Sequence, residues 1–368
     1  MSESVVVFVG TYTEPTYRGK GAGIYSYKLN LKTGSLEPLA KPVGVVNPSY
    51  IAIDPSKRHL YCVNELQGYE GAVSGSATAF AIAPNTQALK KLNAQATCGT
   101  DPCHIAIDRE GRHALVSNYS SGSVCVFPIA PDGNLGKSSQ MIEHAGSSVN
   151  PDRQAGPHVH SVSFDPEEGH ALVCDLGLDK LVAYKYDGEA QRPLSRVEGL
   201  GLSMKPGSGP RHCAFHPSGK YLYLINELDS TIVAVRYQPE GSGCAILQTV
   251  PVTSETPAAT DLSAAIRVSP NGKFLYASNR GRDSIIVYRI DETTGHLSFV
   301  SSESSGGRSP RDFIIDPTGA LLVAANQGSD SLAVFRIDPV SGTLAKISAI
   351  EIPTPVCVMA YLPNEPGL

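Results

Sequence analysis

An all-β fold is predicted, a seven-bladed β-propeller with four antiparallel strands per blade. Three observations carry it: a spacing that recurs six times, an alternating strand after each recurrence, and chain ends that complement each other. In each unit an apolar run ends at a short turn, usually Asp-Pro-x-Gly or a variant. A second run then ends on a polar residue ten positions after the turn opens. The pairs are Asp54 and Asn64, Asp108 and Asn118, Asp165 and Asp175, His216 and Asn226, Ser269 and Asn279, and Asp316 and Asn326. Successive turns lie 47 to 57 residues apart, the period of a repeat architecture rather than of separate domains.

The first two strands of each unit are these apolar runs. The third is an alternating, β-branched segment such as SVCVFPI, TIVAVRY, SIIVYRI or SLAVFRI. A turn such as DETTGHL or DPVSGTL follows, and a more polar strand completes the set. The chain ends supply a seventh unit. VVVFVGTYT matches a second strand, GAGIYSYKL a third and GSLEPLA a fourth, while TPVCVMAYLP near the C-terminus matches the missing first. Four-stranded units arranged radially make a propeller. Joining both chain ends in one blade closes the ring and removes the free sheet edges. One domain over residues 1–368 is therefore expected. The absence of tryptophan argues against the WD40 type.

Composition excludes several classes. A net charge of −5 gives no basic face for nucleic acid and no polybasic membrane patch. No apolar stretch approaches the ~20 residues of a spanning helix. The start, MSESVVVFVGTYTEP, lacks a positive region, and its apolar run is shorter than the ~7–15 residues of a signal-peptide core. A cytoplasmic location is expected, with the eight cysteines as free thiols. The Cys98 and Cys103 pair has no second pair at zinc-site spacing.

In a propeller the start of each first strand and the end of each second strand meet at one mouth of the central channel. The position five before the turn holds Ser49, Cys103, His160, Arg211, Ala264 and Arg311. The position eleven after it holds Glu65, Tyr119, Leu176, Glu227, Arg280 and Gln327. His160, Arg211, Glu227 and Arg280, from three consecutive blades, thus converge at the mouth. Charges that pair neighbouring blades would explain any one of them, but not different charges at equivalent positions. Converging polar groups in a concave feature make a candidate site. His212, Arg282, Arg308 and Arg311 flank it and read from position as surface or supporting residues, although Arg311 shares the inward repeat position. His158 and His160, two apart on a strand, are expected to share a face. No further zinc ligand or HExxH motif accompanies them. There is no Gly-x-Ser-x-Gly elbow and no glycine-rich loop opening a helix.

The segments GPRHCAFHPSGKYLYLINELDST, FLYASNRGRDSIIVYRID, SPRDFIIDPTGALLVAANQGSDSLAVFRIDPVSGTL and PTPVCV closely resemble the seven-bladed propeller lactonases. That family includes the cycloisomerase-type 6-phosphogluconolactonases and is related to the fungal 3-carboxy-cis,cis-muconate lactonizing enzyme. The resemblance covers essentially the whole chain. It implies a site of one His, two Arg and one Glu that uses no metal and no cofactor. Those positions match His160, Arg211, Glu227 and Arg280, expected to be catalytic, with His212, Arg311, Glu65 and His158 expected to contact substrate. One departure is Ala265 in SAAIRVSP, where members often carry an acid.

Lactone hydrolysis is the first expectation, most directly of 6-phospho-D-glucono-1,5-lactone or a related sugar-acid lactone. It needs a base for water, donors for the oxyanion and a clamp for the substrate anion. Glu227 is a candidate base, although a neighbouring arginine would weaken it. Cycloisomerisation of a carboxylated muconate needs similar clamps. A non-catalytic scaffold for a protein or sugar acid is the third expectation, since fold alone does not settle function. The partner foreseen is a small anionic lactone or sugar acid, with neither nucleic acid nor membrane. The loop at 65–77 and the insertion at 137–157 are expected to shape the pocket.

Overall fold

The computed structural model describes residues 3–363 apart from 242, 254, 256, 257 and 259. Among them, seven sheets stand in a ring. Blade 1 joins the chain ends, with Pro355–Tyr361 innermost, then Ser4–Thr11, Ile24–Asn30 and Leu36–Pro38. Blades 2, 3 and 4 begin with the inner strands Tyr50–Ile53, Pro102–Ile107 and Val159–Phe164. Blades 5, 6 and 7 begin with Pro210–Phe215, Ser263–Val268 and Pro310–Ile315. The predicted strand order holds, including closure, where Val6 pairs with Tyr361 and Val9 with Val358. Blade 4 departs in one detail. Its outer edge is shared by two short strands, Leu194–Arg196 and Leu202–Ser203.

The recurring turn is held by its first side chain. Asp54 Oδ1 accepts from the N–H groups of Arg58 and His59, and Asp108 Oδ1 from those of Arg112 and His113. The fourth turn residue needs a positive φ. Glycine supplies it at Gly111, Gly219, Gly272 and Gly319, whereas Lys57 and Glu168 adopt it in the other two turns. In four blades the polar residue ten positions on ties the blade to the segment entering it, whereas Asn226 donates to Thr231 of its own blade. The side-chain amides of Asn64, Asn118, Asn279 and Asn326 donate to the carbonyls of Val46, Thr97, Val252 and Ser305. The recurring spacing thus has a physical cause.

Second strands are covered on both faces, so they read as continuous apolar runs; Tyr221–Asn226 is buried throughout. Outer strands such as Leu297–Ser304 alternate with solvent. Seven apolar clusters lie between neighbouring blades, one per interface. One joins Phe8 and Val6 of blade 1 to Ile51, Leu60 and Phe80 of blade 2. Another joins Val7 and Val358 of blade 1 to Val323 and Val334 of blade 7. With every interface filled, the ring holds the strand ends at the mouth in fixed relation.

Candidate active site at the channel mouth

A β-bulge at the start of the inner strands aims the site residues. In blade 5, Pro210 faces Asn226 and His212 faces Ile225, which leaves Arg211 as the extra residue. The same slip leaves out Cys103 in blade 3, His160 in blade 4 and Arg311 in blade 7. In blade 1 it leaves out Val356. A bulge re-aims a side chain without breaking the sheet. Here it turns Cys103, His160, Arg211 and Arg311, each five before its turn, toward the site. The residues that end the second strands complete the wall, and Tyr12 holds that place in blade 1, just after Thr11.

Glu227 is the centre of the cluster. Arg211 Nε donates to its Oε2 at 3.1 Å, and Arg280 Nη2 reaches the same oxygen at 2.9 Å. Arg153 Nη2 donates to Oε1 at 2.6 Å, and His160 Nε2 lies 3.8 Å from Oε2. Burial alone would raise the Glu227 carboxyl, yet Arg280 and Arg211 hold it well below the usual carboxylate range. His160 is pushed well below its ordinary value by burial and by Arg211, so the imidazole is neutral. Burial and the Arg280 charge lower Arg211 to about 10, which leaves it cationic at neutral pH. Arg211 Nη1 also donates to Ala264 O at 2.6 Å. The buried Nε–H of Arg280 meets no acceptor among the described residues.

The opposite wall carries a second carboxylate. Tyr12 Oη donates to Glu65 Oε2 at 2.9 Å and accepts from Arg311 Nη2 at 3.0 Å. Burial raises the Glu65 carboxyl above its ordinary value, against the opposing charge of Arg311. The two walls enclose a cavity of about 190 Å3 lined by both glutamates, Tyr119, Cys103, His160, Arg153, Arg280 and Arg311.

Below it lies a smaller chamber of about 10 Å3, whose wall includes Glu65, His160, Arg211, His212 and Tyr50. Its floor is a buried layer. The rings of Tyr50 and His104 are 4.1 Å apart, those of His104 and His212 5.4 Å, and Arg267 pairs with Asp312 at 2.9 Å. Burial, with Arg267 and Arg211, pushes His104 down to about 3 and His212 in the same direction.

The structure brings His160, Arg211, Glu227 and Arg280 into contact, sets Glu65 and Arg311 across the cavity, and puts His212 in the chamber. It does not bring His158 to the cavity. The strand begins at Val159 and its extra residue is His160, so the two histidines do not share a face. His158 instead stacks behind Tyr119, ring centroids 4.5 Å apart. Arg282 pairs outside with Asp261 and Glu255, and Arg308 is exposed. Ala265 is fully buried among Tyr276 and Phe313, away from the cavity wall.

Two contributors went unread in the sequence. Tyr12 was legible as the seventh member of the second-strand set. Arg153 was not, because it comes from the 137–157 insertion, which no other blade repeats. Of the 65–77 loop, only Glu65 lines the cavity. All eight cysteines are unbridged, and Cys98 contacts Cys125 rather than Cys103. Among the described residues, no group of three or more His, Cys, Asp or Glu side chains is placed to hold a metal ion. No helix among them is long and apolar enough to cross a membrane.

Fold and site together define a seven-bladed propeller whose channel mouth carries a guanidinium-rich, carboxylate-bearing cavity. The chain belongs to the 7-bladed β-propeller lactonase family, whose model matches residues 6–360. It is 37% identical over 312 residues to the 6-phosphogluconolactonase of Bacillus subtilis, covering 84% of each chain. A 6-phosphogluconolactonase of Formosa agariphila is 35% identical over 312 residues, 84% of this chain and 86% of that protein. Among solved structures, the periplasmic gluconolactonase of Pseudomonas aeruginosa superposes with a TM-score of 0.91 at 34% identity, covering 98% of this chain and all of that one.

Proposed function

We propose that this chain hydrolyses 6-phospho-D-glucono-1,5-lactone to 6-phosphogluconate at the channel mouth, the whole chain acting as one propeller unit. The observation that carries this reading is the charge of the cavity. Three guanidiniums, of Arg153, Arg280 and Arg311, line it with two carboxylates, Arg211 adds a fourth from the chamber below, and the nearby imidazoles are neutral. The surplus is cationic and suits a substrate bearing a phosphate, which carries close to two negative charges at neutral pH. The names of the Bacillus and Formosa relatives support the same substrate.

Hydrolysis adds water across the lactone carbonyl. The tetrahedral oxyanion forms beside the Arg280 guanidinium and the His160 imidazole, donors already fixed in place before the charge develops. Glu227 aligns three guanidiniums and offsets their repulsion. Arg153, at the open side, and Arg311, on the opposite wall, suit the phosphate. The product acid ionises and releases a proton. A cytoplasmic location is part of this reading, supported by the free thiols; fractionation of the producing cell tests it.

The discriminating experiment compares three substrates: 6-phosphogluconolactone, unphosphorylated gluconolactone and carboxymuconolactone. The kcat/KM is expected to favour the phosphorylated lactone at least tenfold. A preference for the unphosphorylated sugar would move the assignment toward the Pseudomonas-type activity. Conversion of carboxymuconolactone alone, to the open carboxymuconate, would make the reaction a cycloisomerisation, and turnover of none would leave a binding scaffold.

A further inference from the structure

We infer that Glu65, and not Glu227, is the general base of the proposed hydrolysis, drawing a proton from a water seated in the chamber beneath the mouth cavity. This rests on the lactonase reading above and assigns the group that reading leaves open.

The two carboxylates differ in what surrounds them. Both oxygens of Glu227 are engaged by guanidiniums, at 2.6, 2.9 and 3.1 Å. A carboxylate so held is a weak proton acceptor, because protonation would break the ion pairs. Glu65 has no guanidinium within ion-pairing distance among the described residues. Its Oε2 accepts from the neutral phenol of Tyr12, which stands between it and Arg311. The other charged groups around it are few. Asp101 lies behind, held by Tyr17, Gln67 and Ser120, and the Cys103 thiol lies beside it. Burial and, more weakly, Asp101 raise its carboxyl, while Arg311, the Ser49 hydroxyl and the Tyr12 phenol oppose them. One site thus holds two carboxylates pushed in opposite directions, the pattern that separates a proton carrier from a fixed charge.

Position supports the same division. Glu65 lines both the mouth cavity and the chamber, a place it shares with Cys103, His160 and Arg311. Glu227 lines only the mouth. The chamber, at about 10 Å3, has room for the centre of one water, and it offers the Glu65 carboxylate and the His160 imidazole as partners. A water there lies below a lactone bound in the mouth. Glu65 takes its proton as the oxygen bonds to the carbonyl carbon, and the carbonyl pair moves onto the oxygen beside Arg280. Collapse breaks the bond to the ring oxygen, which takes the proton back from Glu65. One water is consumed and Glu65 is regenerated.

The test is Glu65→Gln, which keeps size and still accepts from Tyr12. Wild type is expected to show kcat/KM rising with pH through a limb above the ordinary carboxylate range. The variant is expected to lose roughly 100- to 10,000-fold in kcat, with KM changed only a few-fold and that limb gone. Formate added to Glu65→Ala is expected to restore part of the rate. A second variant, Tyr12→Phe, removes the donor on Oε2 and is expected to move the limb to higher pH. Wild-type kcat in Glu65→Gln, persistence of its acidic limb, or an unmoved limb in Tyr12→Phe each overturns the assignment while the lactonase reading stands. Absence of hydrolysis in wild type overturns both, and is seen before any variant is made.

Discussion

Arg211 and Glu227 lie sixteen residues apart in the chain and meet at 3.1 Å, one at the start of the inner strand of blade 5 and the other just past the end of its neighbour. The bulge at Arg211 makes the contact possible, and Arg153 and Arg280 bring it partners from outside the blade. Glu227 is thus the anion that lets several cations share one small space.

Removing that anion is expected to be costly. Glu227→Ala leaves three guanidiniums facing one another, two of them largely buried. Breaking a buried ion pair from one side costs about 3–5 kcal/mol. Urea unfolding of wild type and variant measures this, and an unchanged midpoint would contradict the central place given to Glu227.

Arg153→Ala should behave differently. Its side chain is about a third exposed (35%), so stability is expected to change by only about 0–1 kcal/mol. Binding should suffer instead, with KM for the phosphorylated lactone rising about tenfold or more for a lost charge-assisted contact. Steady-state kinetics beside a thermal melt separates the two effects.

Acid is expected to destabilise the fold in two windows. His104, His160 and His212 are held neutral when folded but take a proton near pH 6.5 when unfolded. Their folded values are depressed, so the unfolded chain binds more protons and stability is lost as pH falls below about 6.5. The slope approaches about 1.4 kcal/mol per pH unit for each such histidine. Glu227, also depressed, contributes stability above about pH 4.5 that is lost below it. Unfolding free energies from pH 7.5 to 4 should therefore fall in two stages, and His104→Gln should make the first shallower.

Ring closure depends on blade 1. Phe8 is fully buried in the interface with blade 2. Phe8→Ala is expected to cost about 3–5 kcal/mol through lost burial and the cavity left behind. Chemical denaturation tests it, and a cost near zero would mean that this interface does not hold the ring shut.

Most of the architecture was legible because its features had local causes repeated along the chain. The turn aspartates and the pinning asparagines leave a spacing that survives changes elsewhere. The same repeat placed Arg211, Glu227, Arg280 and His160 at one mouth. It would have placed Tyr12 and Val356 there too, had the seventh unit been aligned to the end of its strands. The bulge was not legible, because one extra residue in a strand has no composition of its own. That is why His158 was expected beside His160. Arg153 was illegible for another reason, since an insertion found once has no equivalent to compare. The contrast between Glu65 and Glu227 also needed coordinates, since it depends on which donors reach each carboxylate.

Hydrolysis of a phosphorylated lactone by the mouth cluster is open to one decisive measurement. Acid release in a pH-stat tests it most directly, with fresh 6-phosphogluconolactone, the spontaneous rate subtracted, and wild type set against Arg280→Ala. Wild type is expected to release acid rapidly and the variant to lose at least a hundredfold, as when an oxyanion donor is removed. Equal rates in the two proteins, or no release above the spontaneous rate in wild type, would contradict it.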